Sequence, residues 1–142
     1  MFKKVCIIGC GLIGSSLARA IKKNGLSSKI VSSNRSDSVN KKVIELKIVD
    51  DSNSDTKKMA DGSDLIIIAT PLSSYESVIL KIKDSLKNGT ILTDVGSVKE
   101  NVISLVEKAV PENVSWISSH PIAGTEESGP EAGFSELFQN KW

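Results

Sequence analysis

Histidine occurs once in these 142 residues, and cysteine and arginine twice each. One histidine and two dispersed cysteines give no cluster of metal ligands, so no metal site is expected. Cys6, in an apolar run, and Cys10, in the loop after it, are separated by extended backbone that takes their Cα atoms past the roughly 7 Å limit for a disulfide. A reducing, cytoplasmic setting is the expectation. A strong charge of either sign is also missing: 18 basic against 17 acidic side chains leave a formal charge of +1. No basic run is interleaved with aromatics, so neither nucleic acid nor a membrane surface is an expected partner. No apolar run is long enough to span a bilayer, and the one at Val5 ends directly in glycine. Internal repeats, low-complexity tracts and linkers are absent. A 39% hydrophobic content at this length is enough for one core, and residues 1–142 are expected to form a single domain.

What is present alternates in period. Val5-Cys6-Ile7-Ile8 reads as a strand buried on both faces, and Ile13, Leu17, Ala20 and Ile21 then share one helical face that Asn24-Gly25 closes. A modest strand is expected at 29–32, a short helix carrying Val39, Val43 and Leu46, and a polar, turn-rich stretch from Asp50 to Thr56. Leu65-Ile66-Ile67-Ile68-Ala69 is the strongest strand signal, ended by Thr70-Pro71. A helix follows with Tyr75, Val78, Ile79, Ile82 and Leu86 on one face and a Ser73/Glu76 capping-box spacing at its start. Residues 91–95 read as another strand, and Val98, Val102, Leu105, Val106 and Ala109 as the buried face of a helix that Pro111 stops. Ser115-Trp116-Ile117 is a further short strand, and the tail predicts a loop with a short helix over 132–137. Strands alternating with helices predict an α/β fold, a doubly wound and mostly parallel sheet.

Gly9-Cys10-Gly11-Leu12-Ile13-Gly14 sits between the first strand and the first helix. A G-x-G-x-x-G pattern is weak alone. In that context the glycines allow a tight turn and let backbone N–H groups approach a pyrophosphate at the positive end of a helix. Gly9, Gly11, Leu12, Ile13 and Gly14 are therefore expected to bind a dinucleotide, in a Rossmann-like domain. An NAD-preferring version carries an acidic residue about 20 positions beyond the loop, on the ribose hydroxyls. Here the second strand ends in Ser32-Ser33-Asn34-Arg35-Ser36, with neutral donors at Ser33 and Asn34 and a guanidinium at Arg35. NADP is the preferred expectation over NAD. Asp37 is close enough to restore a carboxylate, and Arg35 equally fits a solvent-facing residue.

His120 follows the last short strand. Its imidazole is the one side chain whose ordinary pKa suits proton exchange near neutral pH, and with the glycine loop it points to an acid/base in hydride transfer. Ser97 with Glu100 has capping-box spacing at a helix start, so the Ser97 hydroxyl has a structural use as well.

Taken together, the chain resembles the nucleotide-binding domain of the prephenate and arogenate dehydrogenases, the TyrA family of tyrosine biosynthesis. The segments that carry this are the glycine loop through Ala18, Ala69-Thr70-Pro71, Thr93-Asp94-Val95-Gly96-Ser97-Val98-Lys99, and His120-Pro121-Ile122-Ala123-Gly124-Thr125-Glu126 with Gly129 and Leu137-Phe138. The first two are common to many dehydrogenases, and the last two are much more specific. The resemblance implies an NAD(P)-dependent oxidative decarboxylation in which hydride leaves the ring carbon bearing the 4-hydroxyl while the ring loses carbon dioxide and becomes aromatic. It makes His120 the catalytic base for that hydroxyl and Ser97 the residue that orients the imidazole and faces the nicotinamide. Thr70 and Pro71 would lie beside the nicotinamide and its ribose, although Pro71 also serves to end a strand. Thr125 and Glu126 would edge the substrate, although a hydrated loop fits Glu126 too.

The family continues into a helical domain that forms the dimer and supplies a basic residue for a substrate carboxylate. Neither Arg19, on the first helix, nor Arg35, near the expected adenosine end, replaces it. A fragment of a longer enzyme, with a homodimer only through that further domain, is therefore the expectation. Two other readings stay open: a nucleotide-binding or sensing module without turnover, and a 3-hydroxy-acid-type dehydrogenase sharing the glycine loop and the strand-end Thr-Pro.

Overall fold

A computed structural model of the chain describes residues 1–98 and 100–140. Six strands, β1 (Val5–Ile8), β2 (Ile30–Ser33), β3 (Asp51–Asn53), β4 (Leu65–Ile68), β5 (Ile91–Asp94) and β6 (Ser115–Ile117), form one sheet in the order β3-β2-β1-β4-β5-β6. Every pairing between them is parallel. Five helices, α1 (Leu12–Lys23), α2 (Asp37–Glu45), α3 (Thr56–Ala60), α4 (Tyr75–Ile82) and α5 (Glu100–Ala109), make the crossovers.

The continuous apolar strands are buried on both faces. On one face Val5, Ile7, Ile30 and Ile67 pack with Ala18 and Ile21 of α1 and Val43 of α2; on the other Cys6, Ile8, Ile66, Ile68 and Leu92 pack with Met59, Ile79, Ile82, Val102 and Val106 of α3, α4 and α5. This is the expected doubly wound sheet, with strand order reversing beside β1.

Four local expectations are corrected. The polar stretch 50–56 holds β3, whose outer edge is unpaired and whose side chains carry no apolar alternation, and it leads into α3. Asp55 caps α3 by accepting from the Lys58 N–H at 3.0 Å. The second strand runs one residue later than predicted, placing Ser33 inside it. The Ser73/Glu76 box does not form: Pro71 leads into a 3-10 turn over Leu72–Ser74, and α4 starts at Tyr75 without a side-chain cap. The tail at 132–137 folds as turns rather than a helix. Docking replaces helical hydrogen bonds there: the Phe134 N–H donates to Ser16 Oγ at 3.1 Å, Arg19 reaches the Pro130 carbonyl, and Lys23 pairs with Glu136.

Candidate active site

The carboxyl ends of parallel strands share one edge of a sheet, which is where open α/β folds bind ligands. Every site residue predicted from the sequence lies in a segment that leaves this edge. Gly9 leaves β1 at φ +97°, and its N–H donates to the Ser33 carbonyl at 2.9 Å. A Cβ there would stand 2.7 Å from the Ala69 carbonyl oxygen, and one at Gly14 would run into the Gly9 carbonyl. At Gly11 a Cβ would meet nothing within 4 Å. Two glycines thus close the turn on itself, and the third keeps its outer side open. α1 starts at Leu12 with no side-chain cap, leaving its first N–H groups aimed outward with Leu12 and Ile13 in the first turn. A diphosphate fits this cradle.

At the end of β2, Asn34 is turned inward. Its Oδ1 accepts from the Cys10 N–H at 2.6 Å, and its Nδ2 donates to Asn40 Oδ1 at 3.0 Å and, more weakly, to Ser32 and Ser52. The Ser33 hydroxyl pairs with Thr56 Oγ1 at 3.0 Å. Asn34 therefore braces the glycine loop from below, while Arg35 is exposed just beyond it. A surface cleft of about 460 Å³ along α2, lined by Asp37, Asn40, Lys41 and Ser52 among others, continues outward from this corner.

Thr70 stands half-buried at the end of β4, and its Oγ1 is buried with no hydrogen-bond partner. Pro71 is exposed. An unpaired buried hydroxyl costs about 1–3 kcal/mol unless water or a ligand group meets it.

The ends of β5 and β6 are tied together by Asp94, which is fully buried. Its Oδ2 accepts from the Gly96 N–H at 2.9 Å and from the Tyr75 hydroxyl at 3.2 Å, and its Oδ1 from the Ser119 N–H at 3.3 Å. Ser119 Oγ donates to the Asp94 carbonyl at 2.7 Å and lies 2.7 Å from Thr93 Oγ1. Burial, and then the neighbouring carboxylate, push the Tyr75 hydroxyl well above the usual phenol range, so it remains a donor. Ser97 follows Gly96 and His120 follows Ser119; both are exposed on the open edge. Among the described residues α5 runs from Glu100 to Ala109. Lys99, in the expected motif, lies outside the described residues. Thr125 and Glu126 are exposed in the loop beyond His120, where Thr125 Oγ1 accepts from the Glu127 N–H.

Sequence reasoning missed Asp94, Tyr75, Ser119 and Asn40 as organising residues. Tyr75 was legible only as part of an apolar helix face. An aspartate at the end of a strand, two residues before a glycine, was the available signal for Asp94, since a carboxylate buried at a strand end needs donors from the turn after it.

Residues 17–142 match the family of the prephenate dehydrogenase nucleotide-binding domain. The chain belongs to that family. Cyclohexadienyl dehydrogenase of Zymomonas mobilis is 36% identical over 140 residues, covering 99% of this chain and 47% of the relative. Prephenate dehydrogenase of Lactococcus lactis is 36% identical over 142 residues, covering 99% and 40%. Among solved structures, prephenate dehydrogenase from A. aeolicus in complex with hydroxyphenyl propionate and NAD+ superposes with a TM-score of 0.91 at 27% identity, over 99% of this chain and 49% of that one. The chain thus spans less than half the length of these relatives. The glycine loop ahead of residue 17 falls outside the family match but inside the Lactococcus alignment and shares the fold of the A. aeolicus structure.

Proposed function

We propose that this chain is the dinucleotide-binding part of an enzyme that oxidatively decarboxylates prephenate or arogenate. The observation that carries the reading is spatial. In strand order, the β1 edge offers the glycine cradle, β4 offers Thr70 and Pro71, β5 leads to Ser97 and β6 to His120, so one extended ligand laid along the edge meets diphosphate donors first and an acid/base last.

A nicotinamide bound at that end supplies the hydride acceptor. His120 takes up the proton of the substrate 4-hydroxyl as the ring carbon gives up hydride and the ring carboxylate leaves as carbon dioxide. Ser97 orients the imidazole through its hydroxyl. Thr125 and Glu126 edge the substrate. The partner of the substrate's side-chain carboxylate and the dimer contact would come from outside these 142 residues, as the relatives' greater length allows.

NADP is the cofactor favoured by the β2 end. Asn34 is occupied in bracing the loop, so the preference rests on Arg35, whose exposed guanidinium suits a 2′-phosphate. Asp37, at the start of α2, is the residue that would favour NAD. Titration of the chain with both nucleotides separates them. Tighter binding of NADP, weakened about tenfold by Arg35→Ala with NAD unchanged, is the expected result, a charge-assisted hydrogen bond being worth about 1.5–3 kcal/mol. Fusion to the C-terminal half of the Zymomonas relative then tests turnover by dinucleotide absorbance with prephenate and with arogenate. Nucleotide binding with no turnover in the fusion would favour a sensing module, and binding of neither nucleotide would overturn the reading altogether.

A further inference from the structure

Ser97 and His120 are exposed and stand on separate loops, each leaving a different strand. Shared chemistry requires those loops to keep one mutual placement, and exposed loop backbone does not do this unaided. We propose that Asp94 is the positioning residue that holds the Ser97 turn and the His120 loop in fixed register. The geometry of Asp94 stands by itself, while its consequence for hydride transfer rests on the function proposed above.

A carboxylate offers two oxygens that both accept, and here each faces a different loop: Oδ2 holds the Gly96 N–H at 2.9 Å, one residue before Ser97, and Oδ1 holds the Ser119 N–H at 3.3 Å, one residue before His120. The Tyr75 hydroxyl, donating to Oδ2 at 3.2 Å, fixes the carboxylate against α4. Ser119 grips the same residue a second time through its hydroxyl, which donates to the Asp94 carbonyl. Gly96 permits the close approach, since a Cβ there would stand 2.8 Å from Leu72 Cδ2, 2.9 Å from Asp94 Oδ2 and 3.0 Å from the Tyr75 oxygen. Asparagine has the shape of aspartate but one accepting oxygen. Asp94→Asn must therefore set an amide N–H against one of the two loop N–H groups and release that loop.

The test uses the single histidine, whose ring C–H signals in a carbon–proton NMR spectrum are unambiguous, together with the Ser97 amide signal, at fixed pH and without nucleotide. In Asp94→Asn the signals of His120, Ser97 or both shift and broaden. Tyr75→Phe, which keeps both loop bonds, leaves both signals in place. A folded Asp94→Asn chain whose His120 and Ser97 signals are unmoved overturns the proposal. Should that variant fail to fold, amide hydrogen exchange of the unsubstituted chain decides: joint protection of the Gly96 and Ser119 amides supports the bracket, and free exchange at either overturns it. In the fusion to the C-terminal half of the Zymomonas relative, Asp94→Asn lowers kcat at least tenfold at nearly unchanged KM. A fusion that oxidises neither prephenate nor arogenate refutes the proposed reaction and leaves the NMR result intact.

Discussion

The glycines of the first loop show how residue identity divides between fold and ligand. Gly9 sits in the left-handed region with a carbonyl 2.7 Å from where a Cβ would go, so Gly9→Ala combines backbone strain of about 1–3 kcal/mol with a collision against β4. Gly11 has extended backbone and open space, so Gly11→Ala is expected to unfold within about 1 kcal/mol of the parent while weakening NADP at least tenfold. Denaturant melts and a nucleotide titration of both variants check this, and equal stability losses would refute the division. The two thiols make a second residue-scale prediction. Burial pushes Cys6 up to about 12 and Cys10 to about 11, against an ordinary value of 9.0. Their folded values are raised, so the protonated thiols contribute stability that is intact below pH 9 and is lost as pH rises through 11 and 12. Urea midpoints should fall between pH 8 and pH 10.5, and a thiol reagent at pH 8 should label neither cysteine until the chain unfolds. Rapid labelling of the folded chain would show that the glycine loop opens locally.

At the scale of elements, what the sequence disclosed depended on burial. β1 and β4 lie in the middle of the sheet, and their unbroken apolar runs announced them; α1, α4 and α5 announced themselves by periodicity. β3 did not, because an edge strand of three exposed or half-exposed residues has nothing to alternate, and Ser52 contributes through the Asn34–Asn40 network instead. The site followed the same rule. Residues marked by type and position, Gly9, Thr70, Ser97 and His120, were legible as candidates, whereas Asp94, Ser119 and Asn40 act through long-range hydrogen bonds that no local pattern encodes. The tail misled because Ala132 to Leu137 looks helical in composition while its backbone is committed to α1. Gly133 is the hinge of that commitment: a Cβ would stand 3.0 Å from Ser15 Cβ and from the Ser16 nitrogen. Gly133→Ala is expected to lift the tail without unfolding the sheet, seen as faster hydrogen exchange at the Phe134 and Leu137 amides with β1 and β4 amides still protected. Unchanged exchange at Phe134 would mean the tail is held by Leu137 burial and the Lys23–Glu136 pair instead.

At the scale of the molecule, the two halves of the sheet meet at β1, and a dinucleotide along the carboxyl edge would touch turns from both. Such a ligand binds only the assembled edge, so it should stabilise the whole fold by mass action, by about 2.7 kcal/mol at a hundredfold excess over Kd. For a chain near 150 residues each kcal/mol is worth about 2–4 °C of melting temperature, which places the expected rise at roughly 5–11 °C. The fragments of the ligand apportion it. ADP-ribose 2′-phosphate engages the β2 and β1 turns, where the cradle and Arg35 stand, and should reproduce most of the NADP shift. Nicotinamide mononucleotide reaches only the Thr70 to His120 end and should give little. Prephenate alone should give none on the function proposed above, which puts the partner of its side-chain carboxylate outside these 142 residues. The reverse order, a large shift from the mononucleotide and none from ADP-ribose 2′-phosphate, would relocate the principal binding surface from the glycine cradle to the β5 and β6 ends.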